Sequence, residues 1–300
     1  MKRRSFDPTP WLFAAPALAL LGLFLVVPFA LALGFSFTDQ RLITHDNLDT
    51  AFVGLRNYER LLANPSFWAA LTNNLYFVAV VVPLQSALAL GLALLVDRRL
   101  PGTTVLRSIY FLPVATTMSV VAVIWSLMFS PDAGILNRLV GALSFGAIGP
   151  QDWLRDPTLV MPAVMVLSIW QGVGFQMLVF LAGLQAIPRD FYEAASLDGA
   201  TPWQQFRHIT LPQLRNTTIF VVVTTTIAAF QLYTQVQVIA SSGASAPIDS
   251  LRTLVMLMVH EGLRNGRIGQ ASAIAVVFFV IVLALSLLQR RFAREHRAVR

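Results

Sequence analysis

The sequence predicts an all-α integral membrane protein with six transmembrane helices. Hydrophobic residues make up 56% of the 300 residues and charged residues only 12%, far from the balance of a soluble domain. Six mainly apolar runs are each long enough to cross the roughly 30 Å hydrocarbon layer, which takes about 20 helical residues. These observations place the chain in a membrane before any motif is considered.

The six runs predict the spans in order along the chain. They cover about residues 11–37, 67–96, 105–129, 159–187, 217–240 and 268–288. Because several exceed the minimum length, we expect tilted or kinked helices, with bends at Pro28, Pro83, Pro113 or Pro162. The first run is much longer than the apolar part of a signal peptide, so it predicts an uncleaved span.

The distribution of basic residues predicts the orientation. Fourteen of the 22 Lys and Arg residues lie in the N-terminus, the second and fourth connections and the C-terminus, with Arg107 counted in the second connection. The positive-inside rule then predicts a cytoplasmic N-terminus (1–10), a cytoplasmic fourth connection (188–216) and a cytoplasmic basic tail (290–300). Four arginines on the predicted outer side argue against this orientation: Arg56, Arg60, Arg264 and Arg267.

Residues 11–289 are predicted to form one six-helix domain, because no tandem repeat or linker divides them. Two connections on the predicted outer side have helical character of their own. The connection after the third span contains an amphipathic segment, and residues 253–263 have a helical pattern but are too short to cross a membrane.

Several kinds of chemistry are excluded by composition. Lys2 is the only lysine, so the chain has no phosphate loop of the GxxxxGK[ST] type. With no cysteine and four scattered histidines, we expect no metal site. The basic residues are dispersed between apolar runs, which argues against a nucleic-acid partner. Ser168, His208 and Asp198 are predicted at different depths, so no catalytic residues are expected.

The polar residues of the spans are uncharged. No ionisable side chain lies in the interior of the six runs, which argues against an ion-coupled carrier. The amides and hydroxyls there are predicted to face another helix, a partner or a wet pathway, because hydrocarbon offers them no hydrogen bonds. They are Asn73, Asn74, Gln171, Gln176, Thr224, Thr225, Thr226, Gln231, Tyr233, Gln235 and Gln237. The predicted substrate pathway consists of Gln171, Phe175, Gln231 and Tyr233.

The fourth connection is predicted to contain two short helices. Pro188 suits the first turn of the first helix, and Gly199 can adopt the left-handed conformation that ends it. Thr201 and Gln204 have the spacing of a capping box, with proline at the first position of the second helix. Leu211 and Pro212 are predicted to terminate that second helix.

The stretch "EAASLDGATPWQQFRHITLP" resembles the EAA motif, EAAxxxG followed after nine residues by IxLP, of the membrane subunits of bacterial binding-protein-dependent ABC importers. The positions that match the motif are Glu193, Ala194, Ala195, Gly199, Ile209, Leu211 and Pro212, and Asp198 and Ala200 are also as usual there. Similarity to the carbohydrate-transport branch, of the maltose and glycerol-3-phosphate permease type, extends over most of the chain. Asn216 departs from the second proline of many members.

The resemblance implies a type I ABC importer permease in the bacterial inner membrane, with both termini in the cytoplasm. The helix that carries the motif would be a coupling helix, which docks on a separate ATPase and pairs Glu193 with a basic residue there. The implied partners are a second homologous permease, an ATPase dimer that uses ATP and Mg, and an extracytoplasmic substrate-binding protein. The chain itself would bind no cofactor and would not be an enzyme.

The uncharged pathway favours a sugar or oligosaccharide as substrate. Glycerol 3-phosphate or another small polar solute remains an alternative, because the partner permease could supply the missing charge. An ion-coupled secondary carrier and a membrane scaffold that only recruits a partner are the rival classes of function.

Overall fold

The computed structural model describes residues 9–43, 50–97, 102–132, 134–241 and 248–295. These residues are largely helical and contain no β-strand, apart from an isolated antiparallel bridge between Thr38 and Phe52. They form two compact units, of which the first is Met1–Pro65 with Leu257–Val280 and the second is Ser66–Met256 with Ile281–Arg300.

The helices follow one another in sixteen segments within the described residues. They are α1 Thr9–Leu21, α2 Val27–Phe35, α3 Arg56–Ala63, α4 Pro65–Asp97, α5 Thr103–Phe111, α6 Met118–Met128, α7 Ile135–Leu143, α8 Val160–Gln185, α9 Asp190–Leu197, α10 Pro202–Gln205, α11 Leu211–Gln213, α12 Arg215–Phe230, α13 Thr234–Ser241, α14 Ile248–Leu251, α15 Leu254–Val259 and α16 Ile268–Glu295. Five stretches are long and apolar enough to cross a membrane, and a bent pair of helices makes a sixth. This confirms the predicted all-α membrane fold.

In the first unit, α1 and α2 form one long helix interrupted by a π turn at Gly22–Val26. The turn directly precedes Pro28, whose ring would collide with the carbonyl group four residues earlier in a regular helix. Phe29 of α2 packs against Phe279 of α16 with tilted rings, whose centroids are 4.7 Å apart. Buried Asn57 of α3 donates hydrogen bonds to the carbonyl oxygens of Ser36 and Thr38, at 2.8 and 2.9 Å, and so holds the end of this helix.

In the second unit, α4 and α8 are continuous, although both contain a predicted bend. Pro83 lies inside α4 without ending it. Pro162 lies in the first turn of α8, where a backbone N–H has no acceptor within the helix in any case, so the proline costs little.

The predicted third span is bent rather than straight, and the bend lies next to Pro113, one of the positions where a bend was expected. Helix α5 runs into a 3-10 turn at Leu112–Ala115, and the stretch Thr103–Ala115 makes an angle of 99° with α6. Pro113 lies in this turn, and Thr116 and Thr117 after it have extended backbones. Arg107, within the predicted bounds of this span, lies in α5.

The predicted fifth span also contains a break, between the end of α12 at Phe230 and the start of α13 at Thr234. Asn74 of α4 donates to the carbonyl oxygen of Phe230 at 3.2 Å, and buried Thr253 donates to that of Leu232 at 2.9 Å. These side chains replace hydrogen bonds that a continuous helix would have supplied, as an irregular backbone at membrane depth requires. The break is therefore a stabilised part of the fold.

Both connections with predicted helical character are helical. The first connection contains α7, in which the side-chain oxygen of Asn137 accepts a hydrogen bond from the indole N–H of Trp153 at 2.8 Å. The second connection contains α15. In the turn before α8, the hydroxyl and backbone N–H of Thr158 donate to Asp156 at 2.6 and 2.7 Å, which lowers the pKa of that carboxyl below its usual value.

Candidate functional site

The connection between α8 and α12 folds into two arms, which we call the elbow (residues 188–216). The first arm is α9, and the second runs through α10, a π turn at Phe206–Thr210 and α11. The sequence predicts Pro188 in the first turn of the first arm. In the structure this residue lies before α9, outside that turn. The two predicted short helices are thus present, with different ends.

Gly199 ends the first arm in the left-handed conformation, with φ of 75°. The N–H of Ala200 donates to the carbonyl of Ala195 at 2.9 Å, and that of Gly199 donates to the carbonyl of Ser196 at 3.1 Å. This pair of hydrogen bonds is a Schellman motif. A side chain at Gly199 would have open space but a strained backbone, so the glycine is needed for its conformation.

The second arm starts with the predicted capping box, in which the Thr201 N–H donates to the side-chain oxygen of Gln204 at 2.7 Å. The prediction that Leu211 and Pro212 terminate this arm is wrong, because both residues lie in α11. The π turn immediately before them accommodates a proline inside a continuing helix.

Three hydrogen bonds join the two arms to each other. The hydroxyls of Tyr192 and Thr210 are 2.9 Å apart, and the Gln205 amide donates to the Ser196 hydroxyl at 3.0 Å and to the Ala200 carbonyl at 3.3 Å. Neither Tyr192 nor Gln205 was singled out from the sequence, since contacts between the arms depend on how they fold together. These hydrogen bonds hold the two arms of the elbow together as one unit.

The elbow is also anchored to a buried cluster between the long helices. Tyr192 and Ile209 pack against this cluster, which includes Leu214. Its other members come from α4, α8 and α12, among them Ala93, Phe180, Leu184 and Val221. The motif position Ile209 is therefore an anchor of the elbow, and any displacement of the elbow pushes on three long helices.

The outer face of the elbow is open. Leu197 at its tip is 90% exposed and Trp203 is 66% exposed, which is unusual for large apolar side chains. A shallow depression lies between Tyr192, Glu193, Ser196 and Leu197. Of the motif positions, Glu193, Ala194, Asp198, Gly199, Leu211 and Pro212 are exposed, and Ala195, Ala200 and Ile209 are half-buried.

The polar side chains of the spans fall into two groups. The first group joins helices: Gln176 of α8 donates to the Thr225 hydroxyl of α12 at 2.5 Å, and Gln235 of α13 donates to the Ser168 hydroxyl of α8 at 3.3 Å. All four of these side chains are buried. Asn74, which holds the helix break, belongs to the same group, so these residues have structural roles.

The second group consists of the residues of the predicted pathway, whose role in transport stays a prediction. The hydrogen bonds of Gln176 and Gln235 fix an antiparallel register in which Gln171, in the middle of α8, lies level with the break at Gln231. Gln171 and Tyr233 are half-buried, and Gln231 and Phe175 are exposed. Uncharged polar groups and an aromatic face at one depth can solvate a neutral polar solute.

Two residues of the nominal triad have local backbone partners. Ser168 donates to the Val164 carbonyl, and His208 contacts the Gln204 carbonyl in the elbow. Within the ranges that the structure describes, no group of three or more His, Cys, Asp or Glu residues could hold a metal ion.

Comparison with known proteins identifies the family. Residues 8–297 match the family described as "Binding-protein-dependent transport system inner membrane component". The chain is 33% identical to the "Lactose transport system permease protein LacF" of Rhizobium radiobacter, covering 98% of this chain and 97% of the relative. It is 34% identical to the "Trehalose/maltose transport system permease protein MalF" of Thermococcus litoralis, covering 82% and 81%.

A solved structure has the same fold. A chain of the bacterial alginate ABC transporter, crystallised in complex with an alginate pentasaccharide-bound periplasmic protein, superposes with a TM-score of 0.79 at 21% identity, covering 96% of this chain and 94% of that one. The family match spans nearly the whole sequence. The chain therefore belongs to the binding-protein-dependent transport system inner membrane components, which are ABC transporter permeases and not enzymes.

Proposed function

We propose that this chain forms half of the translocation pathway of an ATP-driven importer and couples to a separate ATPase through the elbow. One observation carries the proposal: the elbow combines an exposed face around Glu193 and Leu197 with a firmly held interior. An exposed apolar tip beside an exposed acid suits a docking surface for a basic cleft. The internal hydrogen bonds suit an element that transmits force.

The proposed mechanism is a two-state equilibrium. ATP-driven closure of the ATPase pair would displace the elbow, and the elbow would push on α4, α8 and α12 through the cluster around Leu214. The spans would then change from an inward-open to an outward-open arrangement. Nucleotide and loaded binding protein would shift this equilibrium by binding the two states with different affinity.

The same role implies which subunits contact the chain and where it lies in the cell. The chain would pair with a second homologous permease, contact an ATPase dimer that uses ATP and Mg, and receive substrate from an extracytoplasmic binding protein. It would lie in the bacterial cell membrane with both termini and the elbow in the cytoplasm. The charge distribution and the binding protein seen with the alginate transporter support this arrangement.

The proposed substrate is a neutral sugar or oligosaccharide. The amides at the α12–α13 break carry no charge, and lactose and trehalose/maltose occur in the names of the relatives. Glycerol 3-phosphate is less suitable, because no basic side chain lies at the depth of Gln171 in the spans that the structure describes.

Cysteine labelling tests the position of the elbow. The chain has no cysteine, so Glu193→Cys introduces its only thiol. An impermeant maleimide should leave this thiol unlabelled on intact cells and label it after permeabilisation. Asp132→Cys, in a connection predicted to lie outside, is the matched control and should be labelled on intact cells. Labelling of the Glu193 position from outside would refute the coupling role.

Substitution of the pathway amides tests the substrate class. Gln171→Ala and Gln231→Ala should each weaken sugar uptake by about two- to tenfold, since a substrate hydrogen bond contributes about 0.5–1.5 kcal/mol. Uptake assays in vesicles should show this loss while ATP hydrolysis stimulated by the loaded binding protein persists. Gln176→Ala is the control, and it should lower thermal stability because Gln176 joins α8 to α12. Unchanged uptake in both pathway variants would contradict the assignment.

A further inference from the structure

A polar cavity of about 480 Å³ lies where α4 ends, α5 begins and α8 leads into the elbow. The proposed transport role does not use this cavity. Its polar lining is formed by Asp97, Thr103, Arg107, Gln185, Arg189 and Tyr192. Two of these six side chains are arginines, although arginine is scarce in the apolar part of the chain.

Arg107 is held in this cavity with unused hydrogen-bonding capacity. Its Nη2 atom donates to the carbonyl oxygen of Val96 at 3.4 Å, near the end of α4. Its Nε atom is buried and has no acceptor among the described residues. A buried donor without a partner is costly, and it costs more when the group is charged. The site is therefore incomplete without an acceptor.

The two arginines are not part of an ion pair among the described residues. The ion pairs within the described part of the chain do not include Arg107 or Arg189. The single acid of the lining, Asp97, is exposed. The cavity thus has an excess of positive charge, and an anion would supply the missing acceptor.

The chemistry of the lining matches a phosphate group. Guanidinium groups bind phosphate oxygens through parallel, charge-assisted hydrogen bonds, and Arg107 offers its unused Nε–H for this purpose. Thr103 and Gln185 add neutral donors at the same cavity. The Tyr192 hydroxyl is already engaged with Thr210 and is not needed as a donor.

The cavity would lie near the phosphate layer when α4 and α8 span a membrane. It lies at the ends of α4 and α8, which are 33 and 26 residues long and apolar enough to span the hydrocarbon. Basic pockets between transmembrane helices at this level are suited to phospholipid headgroups. A soluble phosphate entering from the water side would meet the same groups.

We propose that Arg107 and Arg189 bind a phosphate group in this cavity, supplied by an anionic phospholipid headgroup or by a soluble phosphate. Arg189 immediately precedes α9, so the bound phosphate links α5 to the start of the elbow. The site is independent of the proposed sugar pathway, which lies near the middle of α8.

The test uses the full-length chain purified in detergent with the subunits that copurify with it. Short-chain phosphatidylglycerol is titrated with native mass spectrometry as the readout, and inorganic phosphate is titrated separately by equilibrium dialysis. In at least one of the two titrations, wild-type protein should bind one equivalent of lipid or phosphate at least tenfold more tightly than the Arg107→Gln, Arg189→Gln double variant. Arg207→Gln, which removes an exposed arginine of the elbow outside the cavity, should bind like wild type.

A second variant keeps the test decisive if the double variant does not fold. Asp97→Asn removes the only acid of the lining and should tighten binding several-fold. Binding of lipid alone identifies a headgroup as the source, and binding of inorganic phosphate alone identifies a soluble one. Equal binding by wild type and the double variant in both titrations overturns the proposal. So does a loss of affinity in Arg207→Gln equal to that of the double variant, or an affinity of Asp97→Asn no higher than that of wild type.

Discussion

Uptake through an importer that contains this chain is expected to fall about a hundredfold when Glu193 becomes Lys and Gly199 becomes Val. In the proposed docking of the elbow, reversing the charge of Glu193 would oppose binding by several kcal/mol, and each 1.4 kcal/mol is about a factor of ten. Valine at Gly199 adds roughly 1–2 kcal/mol of left-handed strain and shifts the tip of the elbow. Transport in cells, and ATP hydrolysis with and without loaded binding protein, are the measurements.

A matched pair of substitutions controls for expression and insertion. Glu59→Lys with Gly149→Val makes the same chemical changes at an exposed acid and at a glycine with open space and ordinary φ. This control should transport within about twofold of wild type, since surface substitutions change stability by only about 0.5 kcal/mol. Wild-type uptake in the elbow variant would rule out the elbow as the coupling element.

Gly174→Ala is expected to destabilise the fold by about 1–3 kcal/mol, the usual cost of forcing atoms into a packed interface. A Cβ at this position of α8 would overlap the carbonyl oxygen of Tyr110 and lie 3.1 Å from the Cα of Phe111. Because these are backbone atoms of α5 and its end, no side chain can rotate away. Thermal unfolding of the purified protein should show a lower midpoint.

Gly91→Ala is the control for this prediction, since Gly91 also lies inside a long helix but has no neighbouring atom within 4 Å. Alanine is a better helix former than glycine by up to about 1 kcal/mol, so the midpoint should stay or rise. If Gly174→Ala melts like wild type, α5 and α8 are not packed as closely as described.

Hydropathy was sufficient to predict most of the membrane fold. Apolar runs predicted the long helices, because length and hydrophobicity alone decide whether a segment can span a bilayer. Turn chemistry predicted the Gly199 cap and the Thr201 capping box, since both depend on residues within a few positions of each other. These local features needed no knowledge of distant contacts.

The break between α12 and α13 could not be predicted in the same way, and neither could the choice among the four prolines at which a bend was expected. The α12–α13 break depends on Asn74 and Thr253, of which Asn74 lies more than 150 positions away in sequence. The 99° bend after α5 follows a proline, yet Pro83 leaves α4 continuous. The effect of a proline depends on whether neighbours satisfy the freed backbone groups.

The roles of the amide side chains in the spans could not be predicted from the sequence either. Gln176 and Gln171 are five positions apart on α8, and composition alone does not distinguish them. Only the contacts of α8 with α12 and α13 show that Gln176 joins two helices. The arginine cavity was missed for a similar reason, because α5 and the start of the elbow are distant in sequence.

The break between α12 and α13 has a consequence for motion. Its free carbonyl groups are satisfied from outside the helix, by Asn74 on α4 and by Thr253 before α15. The two halves of this span therefore cannot pivot about the break without moving those donors or leaving polar backbone in hydrocarbon. A swing that begins at the elbow end of α12 would therefore either carry α4 with it or break the hydrogen bond from Asn74, so the joint links helices and is not a free hinge.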